Sequence, residues 1–572
     1  MTKRKLVVVG NGMAGARAVE NVLARGGGEL FDIVMFGDEP YGNYNRIMLS
    51  GILEGSKTLD DILINTPAWY AETGVTLHSG DRVVEIDRAA KAVRSRRGVV
   101  ENYDVLLIAT GSKAFVPPFA GAFTADGALK TGVFAYRTLD DCTGIADYAK
   151  GARKAVTIGG GLLGLEAARA LGGLGCESHV VHLAGHLLEL QLDATGGGML
   201  RRTIEGFGLH VHTGKATTAV LGEDRVAGLA FKDGTTIDCD LVVVAAGVRP
   251  NSEIGLRAGL TVERAIVVND HMQSIDDRSV YAVGECAQHR GKVYGLVAPL
   301  WDQAKVFAEH VTGRDAQAAY HGSKLATKLK VMGVELASMG ITEPYDEHDE
   351  VIQFAEPKRG TYKKLIVRDG RLVGGILMGE ISKAAYLMQA FDRDSPLPEE
   401  RLALLFDLGA PPVAVTLEEM PAEMQVCNCN GVTKGAIGAC VAAGNRDLGS
   451  VMAATRASMG CGSCKSQVAA LTDYFVEQVS EAVPDRAVVA EDASRLDGHV
   501  QARILDDGTF SMMPDTEDGH CTPAQLLRIA EVAVKYKVPS VKLMGHDRID
   551  LVGLPKDDLA RIWNELYLTA AE

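Results

Sequence analysis

The most reactive residue types in this sequence are cysteines set close together. Val426-Cys427-Asn428-Cys429 and Gly460-Cys461-Gly462-Ser463-Cys464-Lys465 form a C-x-C pair, a gap of 31 residues and a C-x-x-C pair. Four thiolates in two tight pairs suit either tetrahedral zinc or an iron–sulfur cluster. The flanking glycines let backbone N–H groups approach the sulfurs. Arg456 and Lys465 stand nearby as counter-charges. Cys440, between the pairs, has no neighbour at ligand spacing and reads as a core residue.

Two glycine-rich loops carry a second chemistry. Leu6 to Val9 is an apolar strand pattern that runs into Gly10-Asn11-Gly12-Met13-Ala14-Gly15 and then a helical pattern. In such a G-x-G-x-x-G turn, Gly10 permits the tight bend and Gly12 lets backbone N–H groups reach a pyrophosphate. Gly15 lets helix and strand pack closely. An acid for the adenosine ribose is expected about twenty residues on. Gly37 falls there, with Asp38 and Glu39 just beyond, and Glu39 is the candidate. The loop repeats as Ala155–Ile158 followed by Gly159, Gly161 and Gly164. Its next strand ends at His182, where a site specific for NADH would place Asp or Glu, so NADH and NADPH both stay open.

These motifs need rigid supports, and the pattern supplies them. Through about residue 320, Val/Ile/Leu runs alternate with alanine-rich helical patterns, the rhythm of βαβ units around a parallel sheet. Strands are expected at Lys5–Val9, Asp32–Phe36, Val105–Ile108, Ala155–Ile158, Ser178–His182 and Leu241–Ala245, with the apolar run continuing to Val248. From about 325 to 405 the pattern becomes antiparallel, with strands at Lys328–Val334, Glu350–Ala355, Lys363–Val367 and Leu372–Leu377 and a helix at Ser382–Phe391. Linkers are expected at 409–412 and 483–485. A last αββα unit follows, with helices at Pro523–Lys537 and Asp557–Leu566 around strands Ser540–Met544 and Arg548–Val552.

Glycine supplies 64 of 572 residues without a collagen period, which fits repeated tight turns. A formal charge of −15 argues against nucleic-acid binding or a basic membrane surface. Ten cysteines are too sparse for a disulfide scaffold in a chain of this length. The apolar run Leu6–Val9 stops at Gly10, too early for a signal peptide, and no run approaches the ~18 residues of a spanning helix. A cytoplasmic protein is expected.

Two such loops in this order resemble the FAD- and NAD(P)H-dependent pyridine-nucleotide disulfide oxidoreductase superfamily. Ala109-Thr110-Gly111 and Tyr281-Ala282-Val283-Gly284-Glu285-Cys286 resemble its two further FAD-contacting turns, and Tyr44-Asn45-Arg46 resembles the segment whose arginine meets the FAD pyrophosphate. The resemblance implies FAD contacts for Thr110, Gly111, Gly284, Glu285 and Arg46. No C-x-x-C or C-x-x-x-x-C pair follows the first helix, so a flavin-facing dithiol is excluded. Cys142, Cys176, Cys239 and Cys286 read as packing residues. Arg456 to Lys465 closely resembles bacterioferritin-associated-ferredoxin-like domains, which implies a 2Fe–2S cluster held by Cys427, Cys429, Cys461 and Cys464.

The chain as a whole resembles the N-terminal part of the large subunit of NAD(P)H-dependent assimilatory nitrite reductases. Tyr41 to Ser50, Gly284 to Cys286, Tyr294 to Trp301 and Lys328 to Val334 carry that likeness, and Lys537 to Leu551 resembles the ferredoxin-like half-domain of nitrite and sulfite reductases. The resemblance implies an α/β fold in five parts. These are an FAD domain (1–118 and 245–322), an NAD(P)H domain (119–244), both Rossmann-like as in glutathione reductase, and an α+β reductase C-terminal domain (323–408). A small helical 2Fe–2S domain (420–478) and an α+β half-domain (495–572) complete it. Of the half-domain's usual turn only Gly545 and Arg548 persist, Cys521 is the single cysteine after Cys464, and the sequence ends at Glu572. Sirohaem and a 4Fe–4S cluster are therefore not expected on this chain, and the half-domain reads as a docking module.

The expected function is an NAD(P)H- and FAD-dependent oxidoreductase that passes electrons through the 2Fe–2S cluster to a partner, the catalytic subunit of a nitrite or nitrate reductase. Association into a homodimer is compatible with this. Two rivals are a stand-alone flavin reductase of a small molecule and a redox-sensing or assembly partner.

Overall fold

The computed structural model describes residues 2–406, 417–418, 420–427, 430–459, 462, 464–482, 502–504, 509–512, 523–544 and 548–567. Both expected linkers, Cys429, Cys461, Cys521 and the turn 545–547 lie outside the described residues. Two compact units divide the chain, Met1–Val479 and Ser480–Glu572.

In the first unit, a parallel sheet runs in the order Val280–Ala282, Val105–Ile108, Arg4–Val9, Phe31–Phe36, Thr76–His78. Its central strands are buried on both faces, as an all-parallel sheet requires, and this is why they read as continuous apolar runs. The helix Met13–Leu23 leaves the first strand and packs along Val297–Thr312. The second parallel sheet orders Val133–Ala135, Leu241–Val244, Lys154–Ile158, Glu177–Val181 and His210–His212. The run Leu241–Val248 is not one strand. It leaves the sheet after Val244, Gly247 turns it at φ +101°, and Val248–Pro250 pairs antiparallel with Ser112–Ala114.

Residues 326–392 form a five-stranded antiparallel sheet in the order Ala326–Val331, Val334–Gly340, Arg371–Met378, Thr361–Arg368, Glu350–Glu356, followed by the helix Ala384–Asp392. The expected strand Lys328–Val334 is instead a hairpin. Met332 (φ +53°) and Gly333 (φ +93°) make its two-residue turn, the type I′ geometry that matches strand twist. Asp369 and Gly370 do the same between Thr361–Arg368 and Arg371–Met378. A short pairing of Gln425–Cys427 with Val432–Thr433, then helices Lys434–Ala442, Leu448–Thr455 and Lys465–Ala482, complete the unit.

The second unit is a four-stranded antiparallel sheet, Ala502–Ile504, Phe510–Met512, Arg548–Leu554, Ser540–Met544, with helices Pro523–Lys535 and Leu559–Tyr567. The αββα expectation thus missed two strands, each of three residues, too short for alternation to register. Met512, Val532, Leu551, Leu554 and Ile562 form its core. Among the described residues, no helix is long and apolar enough to cross a membrane.

One buried ion pair ties the second parallel sheet's domain to the antiparallel sheet. Asp193 caps the helix Ala194–Glu205 through Gly196 N–H and accepts from Lys364 Nζ at 2.8 Å and from Tyr362 Oη. Burial alone would raise its carboxyl, but the bonds from Lys364, Tyr362 and Gly196 outweigh that and hold it below the ordinary 3.8. The contact is therefore fully present above the ordinary carboxylate range and weakens as pH falls below it. Asp193→Ala removes the cap and one of the two carboxylates on the Lys364 ammonium, which keeps Glu343 at 2.7 Å and the Thr342 carbonyl at 2.9 Å. Chemical denaturation at pH 7 should register a loss of about 1–3 kcal/mol, shrinking toward acid pH.

Candidate functional site

The first glycine loop is fixed by contacts that only hydrogen atoms can make. Gly10 sits at φ +120°, and a Cβ there would lie 2.1 Å from the Ala109 carbonyl oxygen. At Gly15 a Cβ would lie 2.2 Å from the Gly10 oxygen. The second loop repeats this: a Cβ at Gly159 (φ +124°) would lie 2.3 Å from the Ala245 oxygen, and one at Gly164 would lie 1.9 Å from the Gly159 oxygen. Gly12 and Gly161 differ, because a Cβ at either would meet nothing within 4 Å. Packing therefore does not explain these two glycines. The open space at the start of a helix is where a pyrophosphate is received.

Gly10, Gly12, Glu39, Arg46, Thr110, Gly111 and Glu285 converge on one cleft of about 920 Å³. Leu162, Leu163 and Glu166 of the second loop's helix and Lys328 and Lys330 of the antiparallel sheet close its other side. Gly15 lies behind the loop as a packing contact. Gly284 (φ +89°) turns the chain into Glu285, and its N–H is held by buried Gln303 Oε1 at 2.8 Å. Gly111 (φ +63°) again opens onto free space, and the turn is pinned by Thr110 Oγ1 donating to the Asn251 carbonyl at 2.6 Å. The cleft, the bare glycine turns and the charged wall fit a dinucleotide cofactor.

The charges of the wall interlock. Arg46 pairs with Glu39, donates to the Arg137 carbonyl at 3.0 Å and lies over the Tyr44 ring at 4.9 Å. Tyr44 Oη donates to Glu39 at 2.6 Å, and burial pushes that phenol far above its ordinary range. Arg137 pairs with Glu285 and donates to Ser112 Oγ at 2.8 Å, and Ser112 in turn donates to Glu285. Arg137, Ser112 and Asn251 escaped the sequence reading. No spacing marks them, because contacts across 25 to 148 residues place Arg137 alone.

His182 sits at the end of its strand as expected, but both ring nitrogens are engaged within the protein. Nδ1 accepts from Gly160 N–H at 3.0 Å, and Nε2 faces Glu189 at 2.8 Å. An acid thus stands at this strand end after all, delivered seven residues later. Cys142, Cys176, Cys239 and Cys286 are buried in apolar cores, and burial pushes the Cys142 and Cys239 thiols up to about 12. Thiols so hard to ionise are poor electron carriers.

Cys427 and Cys464 are both buried in one small core with Val426, Ile437, Val451, Ala457 and Val468. Cys464 immediately precedes the helix Lys465–Ala482, and Arg456 and Ser458, both at positive φ, bend the loop ahead of it. Buried thiols beside left-handed backbone suit a thiolate-held cluster. Cys440 is half-buried against the same core. This domain meets the cleft loop Asn45–Ile47 directly. Asn45 Nδ2 donates to Asn430 Oδ1 at 2.9 Å, Arg17 donates to the Asn430 carbonyl at 2.6 Å, and Ile47 packs on the core that holds Cys427 and Cys464. Ile47 also lines the 920 Å³ cleft.

The sequence profile of the pyridine nucleotide-disulphide oxidoreductases matches residues 4–306. The chain belongs to this family. Profiles of the rubredoxin NAD+ reductase C-terminal domain and of the BFD-like 2Fe–2S binding domain match residues 326–394 and 425–473. The second of these decides between zinc and iron–sulfur in favour of 2Fe–2S. The chain is 37% identical to the NAD(P)H nitrite reductase of Bacillus subtilis, over 99% of this chain and 77% of that protein. It is 34% identical to that organism's assimilatory nitrate reductase electron transfer subunit, over 99% and 78%. The crystal structure of NADH:rubredoxin oxidoreductase from Clostridium acetobutylicum superposes with a TM-score of 0.58 at 26% identity, covering 71% of this chain and all of that one. This family member is an NAD(P)H-dependent, FAD-type oxidoreductase carrying a 2Fe–2S domain.

Because a Cβ at Gly12 meets only open space, Gly12→Ala should leave the apoprotein's melting temperature unchanged. It should weaken FAD binding at least tenfold, measured by flavin fluorescence titration; unaltered affinity would remove Gly12 from the pyrophosphate site.

Proposed function

We propose that the 920 Å³ cleft holds FAD, that the second glycine loop brings NAD(P)H to it, and that Cys427, Cys429, Cys461 and Cys464 hold the cluster that receives the electrons. When bound, FAD takes a hydride equivalent from the nicotinamide and hands on electrons singly, which converts a two-electron donor into a one-electron supply. The chain's own residues do the positioning. Gly10, Gly12 and Gly15 shape the pyrophosphate turn, and Arg46 supplies its positive charge. Thr110, Gly111, Gly284 and Glu285 frame the rest of the cofactor, with the Glu285 carboxylate accepting hydrogen bonds from its hydroxyls while Arg137 holds it in place. Glu39 keeps Arg46 oriented and stands toward the ribose end.

The observation that carries this reading is Ile47. One side of it lines the cleft and the other packs on the core of the cluster domain, so a single apolar side chain is shared by the cleft and the core that holds Cys427 and Cys464. The acceptor we infer is a redox protein of nitrate or nitrite assimilation, the catalytic subunit of a nitrite or nitrate reductase. The relatives named NAD(P)H nitrite reductase and nitrate reductase electron transfer subunit support it. A cytoplasmic setting, where NAD(P)H is supplied and thiolates stay reduced, is part of the proposal.

Cys461→Ser should keep the rate at which NAD(P)H bleaches the flavin in stopped-flow. Reduction of cytochrome c, a one-electron protein acceptor, should fall at least tenfold. Undiminished delivery would contradict the relay.

The Glu189 carboxylate at His182 favours NADH, since a 2′-phosphate would meet negative charge there. The expected kcat/KM ratio is at least tenfold for NADH over NADPH, and Glu189→Gln should narrow it. A ratio unaffected by that change would exclude Glu189 from the choice.

A further inference from the structure

The edge of the second parallel sheet carries side chains that the reading above does not use. Glu177–Val181 and His210–His212 pair in parallel, with His179 opposite His210 and Val181 opposite His212. Because side chains alternate along a strand, Glu177, His179, His210 and His212 share one face. They are close as well as aligned. The His179 ring stacks on His210 at 4.5 Å and on His212 at 5.3 Å between centroids. His179 Nε2 lies 2.9 Å from Glu177 Oε1, and His179 Nδ1 lies 3.0 Å from His212 Nε2. One ligand atom each from Glu177, His179 and His210 falls within 4.8 Å of the others.

We propose that Glu177, His179 and His210 form a binding site for a divalent cation of the zinc type. Two imidazoles and a carboxylate are a borderline donor set of the kind that takes Zn²⁺, Co²⁺, Ni²⁺ or Cu²⁺ in preference to Mg²⁺ or Ca²⁺. Bonds of about 2.0–2.1 Å in a tetrahedron put ligand atoms roughly 3.4 Å apart, so the Nε2–Oε1 pair opens by only about 0.5 Å to admit the ion.

The outer partner is already in place. With the metal on Nε2, the ring proton of His179 sits on Nδ1 and is donated to His212 Nε2, the hydrogen bond that fixes a metal-bound imidazole. His212 is thus a positioning residue. Glu177 and His210 are exposed, which leaves the ion a path of entry and a fourth position for water. Lys154 Nζ, 3.2 Å from the same Glu177 oxygen, is the cation with which the metal shares that carboxylate. The dinucleotide loop leaves the carboxyl end of the strand Lys154–Ile158. Glu177 and His179 lie toward the amino end of the neighbouring strand, so this site is separate from the cofactor crevice.

The test uses the full-length holoenzyme with FAD and cluster in place, equilibrated with Zn²⁺ and counted by elemental analysis. One zinc per chain above the level without added metal is expected. His210→Gln and Glu177→Gln, both at exposed positions, should each weaken uptake at least tenfold while NADH still bleaches the flavin at the native rate. With Co²⁺, a difference spectrum of native protein minus His210→Gln should show the visible bands of a nitrogen-ligated ion. Absence of extra zinc in the native protein overturns the site, as does equal uptake by native protein and His210→Gln.

Discussion

Asn430 takes part in hydrogen bonds on both sides of the boundary between two domains. Its carbonyl accepts from Arg17 of the first helix, its Oδ1 accepts from Asn45 of the cleft loop, and its Nδ2 donates to the Arg456 carbonyl at 2.7 Å. Asn45 and Asn430 are both buried. A buried polar network of this kind is stable only when every member is satisfied, because an orphaned donor or acceptor keeps its full desolvation cost. The geometry is therefore close to all-or-none. Ile47 is two residues from Asn45, Arg46 lies between them, and the placement of all three depends on this contact. The Arg17 guanidinium adds to it by stacking on Trp301 at 4.5 Å, which joins the helix Val297–Thr312 to the same junction.

The cleft wall follows the same logic with charges. Two arginines, Arg46 and Arg137, and two carboxylates, Glu39 and Glu285, form a chain in which each guanidinium faces a carboxylate and the Arg137 carbonyl links the halves. Such pairs contribute little net stability when desolvated, but they fix side-chain direction. For a cofactor whose electronics do the chemistry, fixed direction is what the protein has to supply.

Covalent geometry made part of this legible in the sequence. Gly10, Gly15, Gly159 and Gly164 are required by contacts a few residues away or by one neighbouring strand, so spacing alone reveals them. The buried parallel strands announced themselves by apolar runs. What depended on turn chirality was less visible: Met332-Gly333 looked like the interior of a strand because methionine rarely signals a left-handed turn. Gly247 likewise broke a run that composition presented as continuous. What depended on distant partners was not visible at all. Arg137, Ser112 and Asn251 acquire their places from the tertiary fold, and Glu189 reaches His182 only because the chain curls back after the strand. The His179–His210–His212 stack needed strand register, which no local pattern encodes.

Because Asn45, Ile47 and Asn430 join them, the flavoprotein and the 2Fe–2S domain are not interchangeable parts. A cousin's cluster domain grafted onto this scaffold would have to bring an asparagine at the same point of its loop and an apolar socket for one isoleucine. The match is read by shape and hydrogen bonds rather than by net charge, so ionic strength would do little to loosen it. Exchanging either segment alone would leave buried polar groups at the junction without partners.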